Sequence, residues 1–252
     1  MNEFDQLYSE LKRHIKVLEN QFIKQFIPAN PATSPSEYEH FVKAYCVLSH
    51  AAIEEYVEKL SLKVMAKSLE NWLNKRHYSD TLATLLCTYG TRIKIDDNEG
   101  NSETKVFDYL RPLFNEVKSK FSLDINNNQG VSVKYLRKIL IPVAIDVKDD
   151  VTLLNSLKRL AKERGAYAHK QTVKTVLSPE DAKIYVSDSL RLCDDIRLKA
   201  ILKFHPSTVN KKSKRSKAMS KKIGIKKLTT KKKVVPARQK KTKSSPSEGS
   251  PA

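Results

Sequence analysis

From Ser36 to Arg76 the chain runs 41 residues without a glycine or a proline. Within that run Val42, Cys46, Ser49, Ile53, Tyr56, Leu60 and Val64 recur at steps of three and four. That is the period of one face of an α-helix, and strands rarely exceed about 10 residues. The stretch therefore predicts one continuous helix of roughly 60 Å at about 1.5 Å per residue. A rod of that length must bury its stripe against other long elements. Its start is marked by Ser34-Pro35-Ser36-Glu37: a serine that can cap, a proline suited to the first helical position, and a glutamate that completes a capping box.

Three further long segments carry the same period. Residues 4–27 place Phe4, Leu7, Leu11, Ile15, Leu18, Phe22 and Phe26 on one stripe, ending at Pro28 with Pro31 just beyond. Residues 150–168 begin after Asp149 and Asp150, either of which can cap, and align Leu153, Leu157 and Leu160. Residues 179–203 follow Ser178-Pro179-Glu180-Asp181, a second start signal, and align Ala182, Val186, Ser189, Cys193, Ile196 and Ala200. Between the second and third long helices, residues 78–145 read as an elaboration. It comprises a short helix from Thr81 to Tyr89 capped by Asp80 and stopped by Gly90, a polar loop at 91–102, a helix at 103–121 kinked by Pro112, a loop at 126–130, and a short apolar element at 131–141 that could be helix or strand, with helix favoured. Only 6 of 252 residues are glycine, which disfavours turn-rich β folds and glycine-rich nucleotide loops. The expected fold is all-α: an antiparallel helical bundle over residues 1–205.

Charge divides the chain in two. Residues 206–252 hold 16 basic residues against a single acid, Glu248, whereas the preceding body is nearly balanced. A segment with so little to bury and so much like charge is expected to be a disordered Lys-rich tail. Lys211, Lys212, Lys214, Arg215, Lys231, Lys232 and Lys233 are its densest cations, and they suit salt-dependent contact with nucleic-acid phosphates. The alternative is a solubilising appendage. Cys46, Cys87 and Cys193 stand too far apart for a zinc ribbon or a disulfide framework. No apolar run approaches the roughly 20 residues of a membrane span, and the acidic N-terminus lacks a signal peptide's basic region, so a cytoplasmic location without membrane association is expected.

The residues that bear chemistry lie at Arg164-Gly165-Ala166-Tyr167-Ala168-His169. Arg164 falls on the line of Leu157 and Leu160, and a guanidinium on an apolar stripe is costly unless it is paired or meets water. An imidazole titrates near pH 6.5 and can move a proton; a guanidinium can hold a phosphate in a fork. Five residues along a straight helix separate Arg164 and His169 by about 140°. Convergence then needs a bend near Gly165, or a second chain. The bland reading is a helix end favoured by basic groups near the dipole's negative pole. His50 and Glu54 share a helix face, and an ordinary surface or helix-stabilising pair is the favoured reading, with support of Arg164 by Glu54 as the rival. Asp146, Asp149 and Asp150 read as capping rather than metal-binding residues, Asp194 and Asp195 as solvent-facing, and Trp72 as core. No metal-ligand set or cofactor motif is found.

The Arg-x4-His spacing late in a chain of four long helices resembles the HEPN domain (higher eukaryotes and prokaryotes nucleotide-binding). Leu48-Ser49-His50-Ala51-Ala52-Ile53-Glu54-Glu55-Tyr56-Val57 is similar to the second helix of the RiboL-PSP-HEPN branch, and Tyr167-Ala168-His169 to the family's ending. The resemblance covers about residues 4–203. It implies a metal-independent endoribonuclease of toxin or defence type, acting on RNA as a homodimer in which two motifs face one cleft, under the control of an antitoxin or nucleotidyltransferase partner. In that scheme His169 moves the proton and Arg164 holds the scissile phosphate, with Glu54 and Tyr167 in support. One departure stands out: the family usually has a polar residue after the arginine, and here it is Gly165. That departure keeps a non-catalytic RNA-binding or regulatory module as the alternative.

Overall fold

A computed structural model describes residues 2–28, 30, 33–90, 106–127, 130–169 and 177–205, the side chains of 106–109 and 166–169 excepted. Among these residues the chain is all-α, with seven α-helices and no strand. They are α1 (Glu3–Leu18), α2 (Pro35–Lys75), α3 (Asp80–Tyr89), α4 (Val106–Asn126), α5 (Val133–Leu140), α6 (Val151–His169) and α7 (Pro179–Phe204). The Lys-rich segment from 206 onward, including Lys211, Lys212, Lys214, Arg215, Lys231, Lys232 and Lys233, lies outside the described residues, as does the loop expected at 91–102. No described helix is long and apolar enough to cross a membrane.

The long helix α2 is the spine. It packs on α1, α6 and α7, and α6 and α7 pair with one another. Its expected stripe is the one that is buried: Val42, Cys46, Ser49, Ile53, Tyr56, Leu60 and Val64 all lie in the interior. Cross-links fix the helix directions. Glu3 pairs with Lys67 while Tyr8 stacks near Tyr56, so α1 and α2 run antiparallel. Asp5 pairs with Arg197 while the Tyr8 hydroxyl donates to the Leu190 carbonyl at 3.2 Å, so α1 and α7 are antiparallel too. Between α6 and α7 the Ser156 hydroxyl donates to Asp188 Oδ2 at 2.7 Å in a buried setting. Burying each large apolar side chain of these stripes contributes about 1.5–3 kcal/mol, so the stripes dominate the packing energy.

Several sequence expectations are corrected. The first helix is not continuous to residue 27: it ends at Leu18, and a π-turn (Glu19–Ile23) and a 3-10 turn (Lys24–Phe26) follow. The wider π-turn shifts the register and turns Ile23 fully into the core, while Phe22 and Phe26 are only half-buried. Phe26 instead stacks against Tyr38 and Phe41 of α2. Ser79, not Asp80, caps α3, its hydroxyl accepting from the Leu82 amide at 3.4 Å. Asp80 is the first helical residue and pairs with Lys203 of α7. The fourth helix runs through Pro112 to Asn126, five residues beyond the expected end, because Phe121 and Ile125 continue its buried face. Asp194 and Asp195 are half-buried and paired with Arg197 and Lys199 rather than free in solvent. Asp150 does cap α6, accepting from the amides of Thr152 and Leu153. Trp72 is buried against Phe114 at a centroid distance of 4.5 Å.

Candidate functional site

Arg164 lies in the last two turns of α6, on the line of Leu157 and Leu160, and α6 is helical without interruption through His169. No interruption of the helix occurs at Gly165. A helix needs no break there: glycine weakens helices only by about 1 kcal/mol, and the leucine stripe carries the element. Positions 164 and 169 therefore remain about 140° apart around the axis. The side chains of His169 and Tyr167 lie outside the described residues.

The Arg164 side chain itself lies among the described residues. It is 34% exposed, and its Nη1 lies 3.5 Å from Glu54 Oε2. Glu54 is only 13% exposed, and its other oxygen, Oε1, accepts a hydrogen bond from the backbone amide of Gly130. The carboxylate thus bridges a guanidinium on α6 and the turn that precedes α5. Gly130 has φ +90°, in the region that favours glycine, and a Cβ there would stand 2.4 Å from Arg164 Nη1. Glycine at 130 therefore answers both a backbone conformation and a close approach.

His50, one turn before Glu54, is 1% exposed. Its Nε2 lies 3.2 Å from both the amide nitrogen and the carbonyl oxygen of Val131, and its Nδ1 faces Glu54 Oε2 at 3.9 Å. Burial, countered by the Val131 contact and assisted by the nearby Arg164 charge, pushes its pKa down to about 4. His50 is therefore neutral at pH 7. One turn beyond Glu54, Glu58 accepts a hydrogen bond from the Tyr135 hydroxyl of α5. Burial holds the Glu58 carboxyl above its usual range, against the lowering effect of Tyr135 and with help from Glu54 and Glu55.

The favoured reading of His50 and Glu54 as a surface pair is thus corrected. The two side chains are interior, and 3.9 Å is too long for a hydrogen bond between them. The rival pairing, Glu54 with Arg164 across the bundle, is the contact that forms. Sequence reasoning missed Gly130, Glu58 and Tyr135. The one legible signal was His50, Glu54 and Glu58 recurring every four residues beside an apolar stripe. Among the described residues no group of three His, Cys, Asp or Glu side chains is placed to hold a metal ion. Chemically, the cluster offers one permanent cation, steadied by a carboxylate yet open to solvent on one side. That arrangement suits a held phosphate.

An all-α bundle with an arginine late in its penultimate long helix and a histidine five residues on is the arrangement that the resemblance to the HEPN domain leads one to expect. The family model described as RiboL-PSP-HEPN matches residues 7–201. The chain belongs to that family, whose character points to a nuclease or RNA-related role. No curated protein and no solved structure matches it significantly.

Proposed function

We propose that the protein is a metal-independent endoribonuclease that works as a homodimer, each protomer contributing Arg164 and His169 to a shared cleft. The observation that carries this reading is the setting of Arg164: a guanidinium half open to solvent, held from behind by Glu54, in a chain of this family. In the proposed reaction the ribose 2′-oxygen attacks the adjacent phosphorus while a base removes its proton. The bond from phosphorus to the 5′-oxygen breaks, and an acid protonates that oxygen. The products are a cyclic 2′,3′-phosphate and a 5′-hydroxyl. His169 takes one of the two proton transfers, and Arg164 stabilises the charge that develops on the phosphoryl oxygens. Glu54 is a positioning residue: it touches Arg164 and the Gly130 amide, and it holds the guanidinium in place. Tyr167, two positions before His169 in the last turn of α6, is the proposed supporting residue. The Lys-rich tail retains RNA near the cleft through its phosphates.

The purified full chain should cleave RNA in the presence of EDTA and leave cyclic phosphate ends. His169→Ala should abolish this, and wild-type cleavage by that variant would end the assignment. A second reading, a regulatory module that holds RNA without cutting it, draws on Gly165. The family's usual polar neighbour of the arginine is missing, and an added Cβ at Gly165 would meet no described atom within 4 Å. RNA retention with no cleavage in any buffer would favour it. An antitoxin or a nucleotidyltransferase is the partner class this function would call for, and a cytoplasmic location goes with it.

A further inference from the structure

A groove of about 450 Å³ lies between α5 and the first half of α6. Three cations stand along it, Lys134 and Arg137 from α5 and Lys158 from α6, all exposed. Among the described residues none of the three has a carboxylate partner, whereas Lys183, Arg191, Arg197, Lys199 and Lys203 of α7 each have one. A single acid, Asp149, lies at the groove's edge. The lining also includes Val133, Val151 and Leu154, and Val151 is one of the most exposed large apolar residues of the fold. Unpaired cations beside an exposed apolar lining match a ligand that presents phosphates on one side and flat, weakly polar faces on the other.

Both helices that form this groove also reach the arginine site. The chain enters α5 directly from Gly130 and Val131, which touch Arg164 and His50. On α6, Lys158 precedes Arg164 by six residues, or about 9 Å along the axis. Gly165 follows Lys158 by seven residues and so returns to nearly the same edge of the helix. There the missing side chain leaves the path open.

We propose that this groove is a track for single-stranded RNA, in which Lys134, Arg137 and Lys158 engage successive phosphates of the strand that reaches Arg164. The proposal rests on the ribonuclease reading only for the direction of the strand. A single strand fits better than a duplex because only an unpaired base can lay its face on the exposed Val151. Gly165 then serves the track, since any larger residue on that edge of α6 would stand in the strand's way.

The test is binding by the full-length chain of a short single-stranded oligoribonucleotide, 2′-O-methylated throughout so that it has no nucleophile and stays intact. Affinity is measured by fluorescence anisotropy over a series of salt concentrations. The variant K134Q/R137Q/K158Q should bind about tenfold or more weaker at low salt, and its log–log salt slope should be shallower by about 2, given about 0.7 per phosphate contact on a single strand. A control of equal charge change, R13Q/K16Q/K24Q on the opposite end of the chain, should leave both readouts near wild type. All three groove residues are exposed, so unchanged melting temperatures should accompany the loss. An unchanged slope in the groove variant would overturn the proposal, as would an equal loss in the control. Equal competition by duplex RNA would overturn its single-strand character. Cleavage is scored separately on unmodified RNA. Groove-dependent binding without cleavage sinks the nuclease reading and leaves the track; cleavage with groove-independent binding does the reverse.

Discussion

At the scale of single residues, the site is organised by one half-buried carboxylate that serves two elements. Glu54 holds Arg164 and the Gly130 amide together, so Glu54→Gln keeps the shape but removes the charge that steadies the guanidinium. RNA cleavage should fall by one to two orders of magnitude in that variant, while stability drops by only about 1–2 kcal/mol in urea titration. Gly130→Ala should act through Arg164 as well. Its Cβ would occupy the place of Nη1, and the positive φ adds strain of order 1–3 kcal/mol, so cleavage and melting temperature should both decline. His50 supplies a pH dependence. Its pKa is about 4 in the fold and near 6.5 in the unfolded chain, so the unfolded state binds more protons between those values. The stability it confers is present above pH 6.5 and is lost as pH falls toward 4, by roughly 3 kcal/mol at most. Urea midpoints at pH 7 and pH 4.5 should show this loss in wild type and a smaller one in His50→Gln.

At the scale of helices, period and start signals served well where an element is long and its partners lie along one stripe. The stripe of α2 was legible from Val42 to Val64 because it faces the same core throughout. The end of α1 was not, because the π-turn that brings in Ile23 answers a packing demand set by α2 rather than any local preference. Asp80 carried the same ambiguity: serine and aspartate both cap well, and Lys203, distant in sequence, draws the aspartate away. The pairing of α6 with α7 is fixed by a polar contact as well as by leucines. Ser156→Ala would leave Asp188 Oδ2 buried without its donor at 2.7 Å, and a loss of about 1–3 kcal/mol is expected by thermal or urea unfolding.

At the scale of the whole molecule, the proposed function is that of a dimer: positions 164 and 169 stand about 140° apart on an uninterrupted α6, and the shared cleft proposed above needs a second copy. Specific cleavage activity should therefore fall on dilution through the dimer's dissociation range, and sedimentation should show monomer over the same range. Activity independent of concentration down to monomer would exclude a shared cleft.

The sequence by itself determined the all-α class, the four long helices, the capping at Ser178, and the choice of Arg164 as a charge out of place on an apolar stripe. These follow from local periodicity and chemistry, which are written into neighbouring residues. Only the tertiary structure decided that Glu54 would face Arg164, that Gly130 would lie against its guanidinium, and that Lys134, Arg137 and Lys158 would line one groove. Those residues are 21 to 110 positions apart where they cross helices. Which of them meet is set by how α2, α5 and α6 bury their stripes together, and no local rule of sequence carries that information.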